Sequence, residues 1–335
     1  MTSNITFSLI AIIVLALSFD FINGFHDTAN AIATSVTTRV LTPTIAIAMA
    51  AILNFIGAMI SKNVAKTISS GILSGDVAQY IIISALIAAI IWNLFTWKIA
   101  MPSSSSHALI GAMVGAGIAD TFSFNNVLWG GVFQKVILPL ITSPIMGFII
   151  SYLFMNLLFE MLRPVAHAII NKWFSKLQIV SAAFMAFSHG SNDAQKSMGI
   201  ITLALISAGF LEKSANVPVW VSFLCALAMA MGTSIGGWRI IKTIGQNMIK
   251  LEPIGGFAAE TSSAIVIEIA SRLGMPVSTT HIISSSIMGV GAAKRLSSVR
   301  WAVVRNMVWA WIFTLPITAL LGFIIVLVIK IIMRF

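Results

Sequence analysis

Charged side chains are scarce in this sequence of 335 residues. They make up 9% of the chain, whereas an ordinary soluble domain carries about a quarter. A water-soluble protein of this length needs more charge to cover its surface. The scarcity excludes a soluble enzyme, a nucleic-acid-binding protein and a disordered chain. With 58% hydrophobic residues, the composition predicts a polytopic membrane protein.

Cysteine occurs only once, as Cys225, so neither an internal disulfide nor a multi-cysteine metal site can form. GxSxG, HExxH and Walker motifs are also missing. Adjacent Ser106 and His107 would point in different directions on a helix, which disfavours an intramembrane hydrolase. We therefore predict no enzymatic activity and no cofactor. The net charge of +10 comes from scattered loop cations, which is typical of membrane proteins rather than nucleic-acid binders.

Long apolar runs dominate what is present. A helix needs roughly 20 residues to cross about 30 Å of hydrocarbon. We expect 5–22 to be a retained span rather than a signal peptide. The candidate spans are 5–22, 43–60, 80–100, 129–158, 177–189, 198–211, 217–237, 257–273 and 301–333. Shorter pieces at 28–38, 105–118 and 281–292 bring the total to about twelve helical segments.

The two halves of the chain resemble each other. NGFHDTANA at 23–31 matches SHGSNDAQKS at 188–197, and MPSSSSH at 101–107 matches MPVSTTH at 275–281. These matches keep their order along the chain, which predicts a duplicated unit with the substrate site where the copies meet. We expect a first membrane repeat at 1–158, a central polar loop at 159–176 and a second repeat at 177–335. The repeats are inverted if each crosses the membrane an odd number of times.

Each Pro-Ser/Thr-His motif predicts the start of a half-helix, because proline cannot continue a helix and Ser and Thr are N-cap residues. The free N–H groups of such a start bind anions, and the hydroxyls add neutral donors. Helix-to-helix hydrogen bonding is the alternative role. The terminal histidines are expected to contact substrate, carry a proton or serve the fold. The candidate residues are Ser104, Ser105, Ser106, His107, Ser278, Thr279, Thr280 and His281.

Asp27 and Asp193 lie in the other matched pair of motifs, where we expect the helix to unwind. A carboxylate beside freed carbonyls suits a hard cation or a proton. The alternative is a buried aspartate that caps a helix. Lys196 occupies the position that Asn30 has in the first copy. Its ammonium either replaces a monovalent cation or simply pairs with Asp193.

These motifs resemble those of the inorganic phosphate transporter (PiT) family, over nearly the whole chain. The resemblance implies inverted repeats, two re-entrant helical hairpins and often a homodimer. It also implies phosphate between the hairpin tips. Many sodium-coupled members have asparagine where this chain has His26 and Lys196, whereas bacterial low-affinity members are closer in pattern. The resemblance implies that Asp27, Asn30, Asn192 and Asp193 take part in coupling. Lys196 is a further coupling candidate, because it stands where this chain differs from the sodium-coupled members.

The leading hypothesis is a multi-pass symporter of inorganic phosphate in the inner (cytoplasmic) membrane, surrounded by lipid. The substrate is free phosphate or a metal–phosphate complex, and a proton is favoured over sodium as the coupling ion. Sulfate transport on the same fold is the alternative. Phosphate, unlike sulfate, carries a proton near neutral pH that it can donate to the aspartates. A passive channel is a further alternative.

Overall fold

The computed structural model describes residues 7–73, 77–212, 214–237, 240–241, 243–244 and 248–333, and in this part of the chain the fold is all-helical, with no β-strand. We number the helices in chain order. They are α1 (Phe7–Thr37), α2 (Pro43–Ile60), α3 (Asn63–Ser70), α4 (Gln79–Lys98), α5 (Ser105–Thr121), α6 (Trp129–Leu162), α7 (His167–Asp193), α8 (Gln195–Ser207), α9 (Val219–Ile235), α10 (Pro253–Arg272), α11 (Thr279–Lys294) and α12 (Trp301–Met333).

Five of these helices are long and apolar enough to cross a membrane: α1, α2, α4, α6 and α12. Their outward faces carry large apolar side chains such as Ile52, Leu153 and Leu320, each at least 60% exposed. Such faces suit a lipid environment. The fold is therefore that of a multi-pass membrane protein, as predicted.

Two sequence predictions about helix ends are wrong. The predicted span 5–22 and the shorter piece 28–38 belong to one continuous helix, α1, which ends at Thr37, so the chain does not unwind around Asp27. Residues 5 and 6 lie outside the described part. The second aspartate does mark a break, because α7 ends at Asp193 and α8 begins at Gln195. The predicted polar loop 159–176 is mostly helical, and only residues 163–166 separate α6 from α7.

Two helical hairpins are built alike. Helices α4 and α5 pack together, as do α10 and α11. Their tips span residues 99–104 and 273–278. Each tip turns through a residue with positive φ, Ala100 at 55° and Gly274 at 68°. The side chain of Ser104 or Ser278 then caps the helix that follows.

Helices exchange partners between the two halves of the chain. The first hairpin packs through α5 on the last helix, α12, while the second packs through α11 on α6. In the same way α1 packs on α9 and α7 packs on α2. Local details match too. Trp129 Nε1 donates to Phe124 O, and Trp301 Nε1 donates to Leu296 O, both at 3.0 Å.

The apolar core consists of two clusters with polar residues between them. On α1, the buried side chains up to Phe19 belong to one cluster, and those from Ala29 onward belong to the other. On α7 and α8, the switch occurs between Ala186 and Ala194. The polar motifs around Asp27 and Asp193 fall in both intervals, so folding places them in one layer inside the bundle.

Glycine permits the close contact between α5 and α12. A Cβ at Gly115 would overlap the carbonyl group of Ala319. We expect Gly115→Ala to cost about 1–3 kcal/mol through overpacking and to lower the melting temperature of the detergent-solubilised protein. Gly130→Ala is the matched control, since no atom lies within 4 Å of its Cβ position. Equal melting temperatures for the two variants would contradict this packing.

Candidate functional site

Both Pro-Ser/Thr-His motifs begin a helix, which confirms the structural part of that prediction. Ser104 is the N-cap of α5, and its side chain accepts a hydrogen bond from the His107 backbone N–H at 3.2 Å. Ser278 caps α11 in the same way, with the His281 N–H at 3.2 Å. The first turn of each helix therefore directs N–H and hydroxyl donors toward its tip.

The two tips meet inside the bundle. The imidazole rings of His107 and His281 lie 5.0 Å apart between centroids. Ser106 Oγ donates to the Val277 carbonyl at 2.8 Å, so the first tip is hydrogen-bonded to the backbone of the second. Two positive helix ends and their hydroxyls thus share one small region. Such an arrangement offers several hydrogen-bond donors to a tetrahedral anion.

Each aspartate lies beside the tip of the hairpin in its own half. Asp27 Oδ2 accepts a hydrogen bond from Ser105 Oγ at 2.9 Å, and Asp193 Oδ2 accepts one from Thr279 Oγ1 at 3.2 Å. Each aspartate also has a histidine neighbour. His26 Nδ1 is 2.6 Å from Asp27 Oδ1, and His189 Nε2 is 3.3 Å from Asp193 Oδ2. The two aspartates thus share two kinds of neighbour, a hydroxyl of the nearest tip and a histidine.

Lys196 makes the two environments different. Its Nζ lies 2.7 Å from Asp193 Oδ1, and both side chains are at most 1% exposed. The matching residue of the first half, Asn30, donates instead to Thr280 Oγ1 at 2.8 Å and to Thr279 Oγ1 at 3.3 Å. One aspartate thus has a fixed ammonium group, whereas the other does not.

Asn192 is buried and contacts the second hairpin. Its Nδ2 donates to Ser271 Oγ at 2.8 Å and to the Met275 carbonyl at 3.3 Å. These contacts hold the tip of the second hairpin against α7. We therefore find Asn192 in a position that orients the tip.

A cation could be held between the aspartates. Asp27, His189 and Asp193 each offer a ligand atom, and these atoms lie within 4.8 Å of one another. Every predicted site residue is at most 2% exposed, so the site is buried inside the bundle. The arrangement can bind an anion at the helix ends and a proton or cation at the carboxylates.

Comparison with known proteins decides the family. The model of the phosphate transporter family matches residues 23–322. The chain belongs to the phosphate transporter family. A relative from Bacillus subtilis (strain 168) is 48% identical, covering 93% of this chain and 94% of its own length. One from Rhizobium meliloti (strain 1021) is 45% identical, covering 94% of each chain. Both are named "Probable low-affinity inorganic phosphate transporter".

A solved structure agrees with this phosphate transporter family assignment. It is titled "The sodium-dependent phosphate transporter", is 26% identical and superposes with a TM-score of 0.88. It covers 98% of this chain and 100% of its own. The resemblance drawn from the motifs is confirmed at the level of the family, and membership of a transporter family points away from an enzyme. The sulfate alternative has no support from these comparisons.

Sequence reasoning missed several residues of this family member that support the site. The ring of His281 stacks on Trp311 of α12, with centroids 4.1 Å apart. Thr96 lies 3.0 Å from His26 Nε2 and accepts from Ser103 Oγ at 2.9 Å. Asn54 Oδ1 lies 3.1 Å from His189 Nδ1. Thr96 and Asn54 could have been noticed as polar residues inside apolar runs. Trp311 carries no such signal in the sequence.

Two further carboxylates are buried among the described residues, Glu260 and Asp20. Glu260 accepts hydrogen bonds from Thr34, Ser181 and Gln178, so it joins α10 to α1 and α7. Asp20 lies on α1 about two turns before Asp27 and is fully buried. Neither carboxylate has a hydrogen bond to a tip residue among the described residues.

Proposed function

We propose that the protein is a secondary active phosphate symporter of the cytoplasmic membrane. The observation that carries this proposal is that two capped helix N-termini meet inside an apolar bundle, where the ring centroids of His107 and His281 lie 5.0 Å apart. Backbone N–H groups and hydroxyls are neutral donors. They hold an oxyanion without a permanent ion pair, which favours release on the other side.

The proposed phosphate contacts are the hydroxyl and histidine residues of both tips, Ser104, Ser105, Ser106, His107, Ser278, Thr279, Thr280 and His281. The ring nitrogens of His107 and His281 have no hydrogen-bond partner among the described residues. Buried polar atoms normally have partners, so these nitrogens are available to a ligand. Phosphate also carries a proton near neutral pH that it can donate to Asp27 or Asp193.

Coupling is proposed to involve Asp27, Asn30, Asn192, Asp193 and Lys196. The Lys196 ammonium, 2.7 Å from Asp193, occupies the place where a monovalent cation would neutralise that carboxylate. The first half retains Asn30 and a carboxylate without a lysine partner. We therefore favour a proton over sodium as the coupling ion, although the related solved structure is titled as sodium-dependent.

We also propose alternating access between two inverted repeats, with the boundary at the short turn 163–166. The exchange of partners supports the repeat, because α5 of the first half packs on α12 of the second half, and α11 of the second half packs on α6 of the first half. Rocking of one half against the other would expose the tips first on one side and then on the other. Two re-entrant hairpins, about twelve segments and a homodimer remain predictions from the sequence.

The test of this proposal is uptake of labelled phosphate into proteoliposomes under an imposed ion gradient. We expect uphill accumulation, which distinguishes a carrier from a channel. A hundredfold excess of sulfate should leave the initial rate nearly unchanged, because sulfate cannot donate a proton to the aspartates. Strong inhibition by sulfate would favour the alternative substrate, and equilibration without accumulation would favour a channel.

A further inference from the structure

A basic cavity lies beside the tip of the second hairpin, outside the buried site. Its volume is about 420 Å³. It is bounded by α3, the first turns of α6 and the end of α10. Its polar lining consists mainly of Lys66, Thr67, Ser70, Gln134, Lys135 and Arg272. Three different parts of the chain thus each bring a cation to one opening.

The cavity has an excess of positive charge. Arg272 Nε pairs with Glu268 Oε1 at 3.1 Å, which neutralises one cation. Lys135 Nζ donates only to a neutral group, the Leu273 carbonyl, at 3.3 Å. Within the described part of the chain neither Lys66 nor Lys135 has a carboxylate within ion-pair distance. The arrangement leaves two cations for a ligand, and the hydroxyls beside them are further donors.

The cavity wall continues directly into the phosphate-binding tip. Asn63 Nδ2 donates to the Arg272 carbonyl at 2.9 Å, and Thr67 Oγ1 donates to the Gly274 carbonyl at 2.7 Å. Only three residues lie between Gly274 and the cap Ser278, a reach of at most about 14 Å. Any movement of the tip therefore changes the wall of the cavity.

We infer that this cavity is a capture site for the phosphate oxyanion on one face of the transporter, an inference that rests on the proposed function. A cavity lined by one sign of charge raises the local concentration of its counter-ion and the rate of association. A bound anion offers Lys135 a stronger acceptor than the Leu273 carbonyl. Capture would then loosen one contact that holds the tip in place.

The test uses the double variant Lys66→Gln/Lys135→Gln in right-side-out and inside-out membrane vesicles. We expect KM for phosphate to rise about three- to tenfold in only one orientation, with Vmax unchanged. The dependence of KM on ionic strength should weaken in that same orientation, because fewer charges remain to be screened. Lys172→Gln is the matched control, an exposed lysine near the start of α7.

Three results would overturn the capture site: an unchanged KM in both orientations, an equal rise in both, or a loss of Vmax alone. A phosphate group could also come from a lipid. Proteoliposomes of phosphatidylcholine with and without phosphatidylglycerol separate the two sources. A variant that loses only stimulation by phosphatidylglycerol, with KM unchanged, would mean that a lipid occupies the cavity and would refute capture. Absence of phosphate uptake by the wild type would instead refute the proposed function.

Discussion

Asp193→Asn should reduce phosphate uptake at least about a hundredfold. The Asp193 carboxylate lies 2.7 Å from the Lys196 ammonium, and both are buried. Removing one partner of a buried ion pair leaves an uncompensated charge, at a cost of about 3–5 kcal/mol. The variant also lacks the carboxylate that would exchange a proton with phosphate. The measurement is the initial rate of labelled phosphate uptake, normalised to the amount of protein in the membrane.

A second variant separates transport from folding. In Asp193→Asn/Lys196→Met both buried charges are absent, so the amount of protein in the membrane should recover while uptake stays at background. Asp27→Asn should also abolish uptake with normal membrane abundance. Glu252→Gln is the matched control, because Glu252 forms an exposed ion pair with Lys294. Exposed ion pairs contribute little to stability, so this variant should transport phosphate normally. Full uptake in both aspartate variants would remove these residues from the mechanism.

Lys196→Asn should change the ion that drives transport. In the wild type we expect uptake to follow an imposed proton gradient and to ignore a sodium gradient. The variant restores the residue type found at Asn30 and frees the Asp193 carboxylate for a cation. We expect proton-driven uptake to fall roughly tenfold, equivalent to about 1.4 kcal/mol, and a sodium gradient to stimulate the remainder.

The measurement is phosphate uptake into proteoliposomes under each gradient in turn. Lys172→Asn makes the same substitution at an exposed position and should behave as the wild type. If uptake by the wild type requires sodium, the ammonium of Lys196 does not stand in for a cation. If the variant keeps the ion dependence of the wild type, Lys196 serves only to neutralise Asp193.

Local signals predicted the hairpin tips correctly. Pro102 and Pro276 stop one helix, and the Ser/Thr runs after them cap the next, so neighbouring residues contain the necessary information. The continuous course of α1 could not be predicted in this way. Glycine has a low helix propensity, so Gly24 favours a break in the helix. In the structure the missing side chain of Gly24 instead lets α1 contact the backbone of α9 at Met229. Tertiary packing overrides the weak helix propensity.

The surroundings of the tips were also beyond local reasoning. His281 stacks on Trp311, and His26 approaches Thr96, 70 residues away. Such pairs depend on which helices become neighbours, and the repeat alone does not determine this.

The prediction of a polar loop at 159–176 was wrong for another reason. Its polar residues belong to exposed helix ends that extend beyond the apolar spans, and composition alone does not distinguish these from a loop.

The exchange of partners between the halves has a consequence for biogenesis. Helix α5 is covered by α12, which lies much later in the chain. During insertion the small residues of the first hairpin therefore face lipid or a chaperone until α12 has been synthesised and inserted. A chain that stalls before α12 would leave this hairpin uncovered and would be a natural target for membrane quality control.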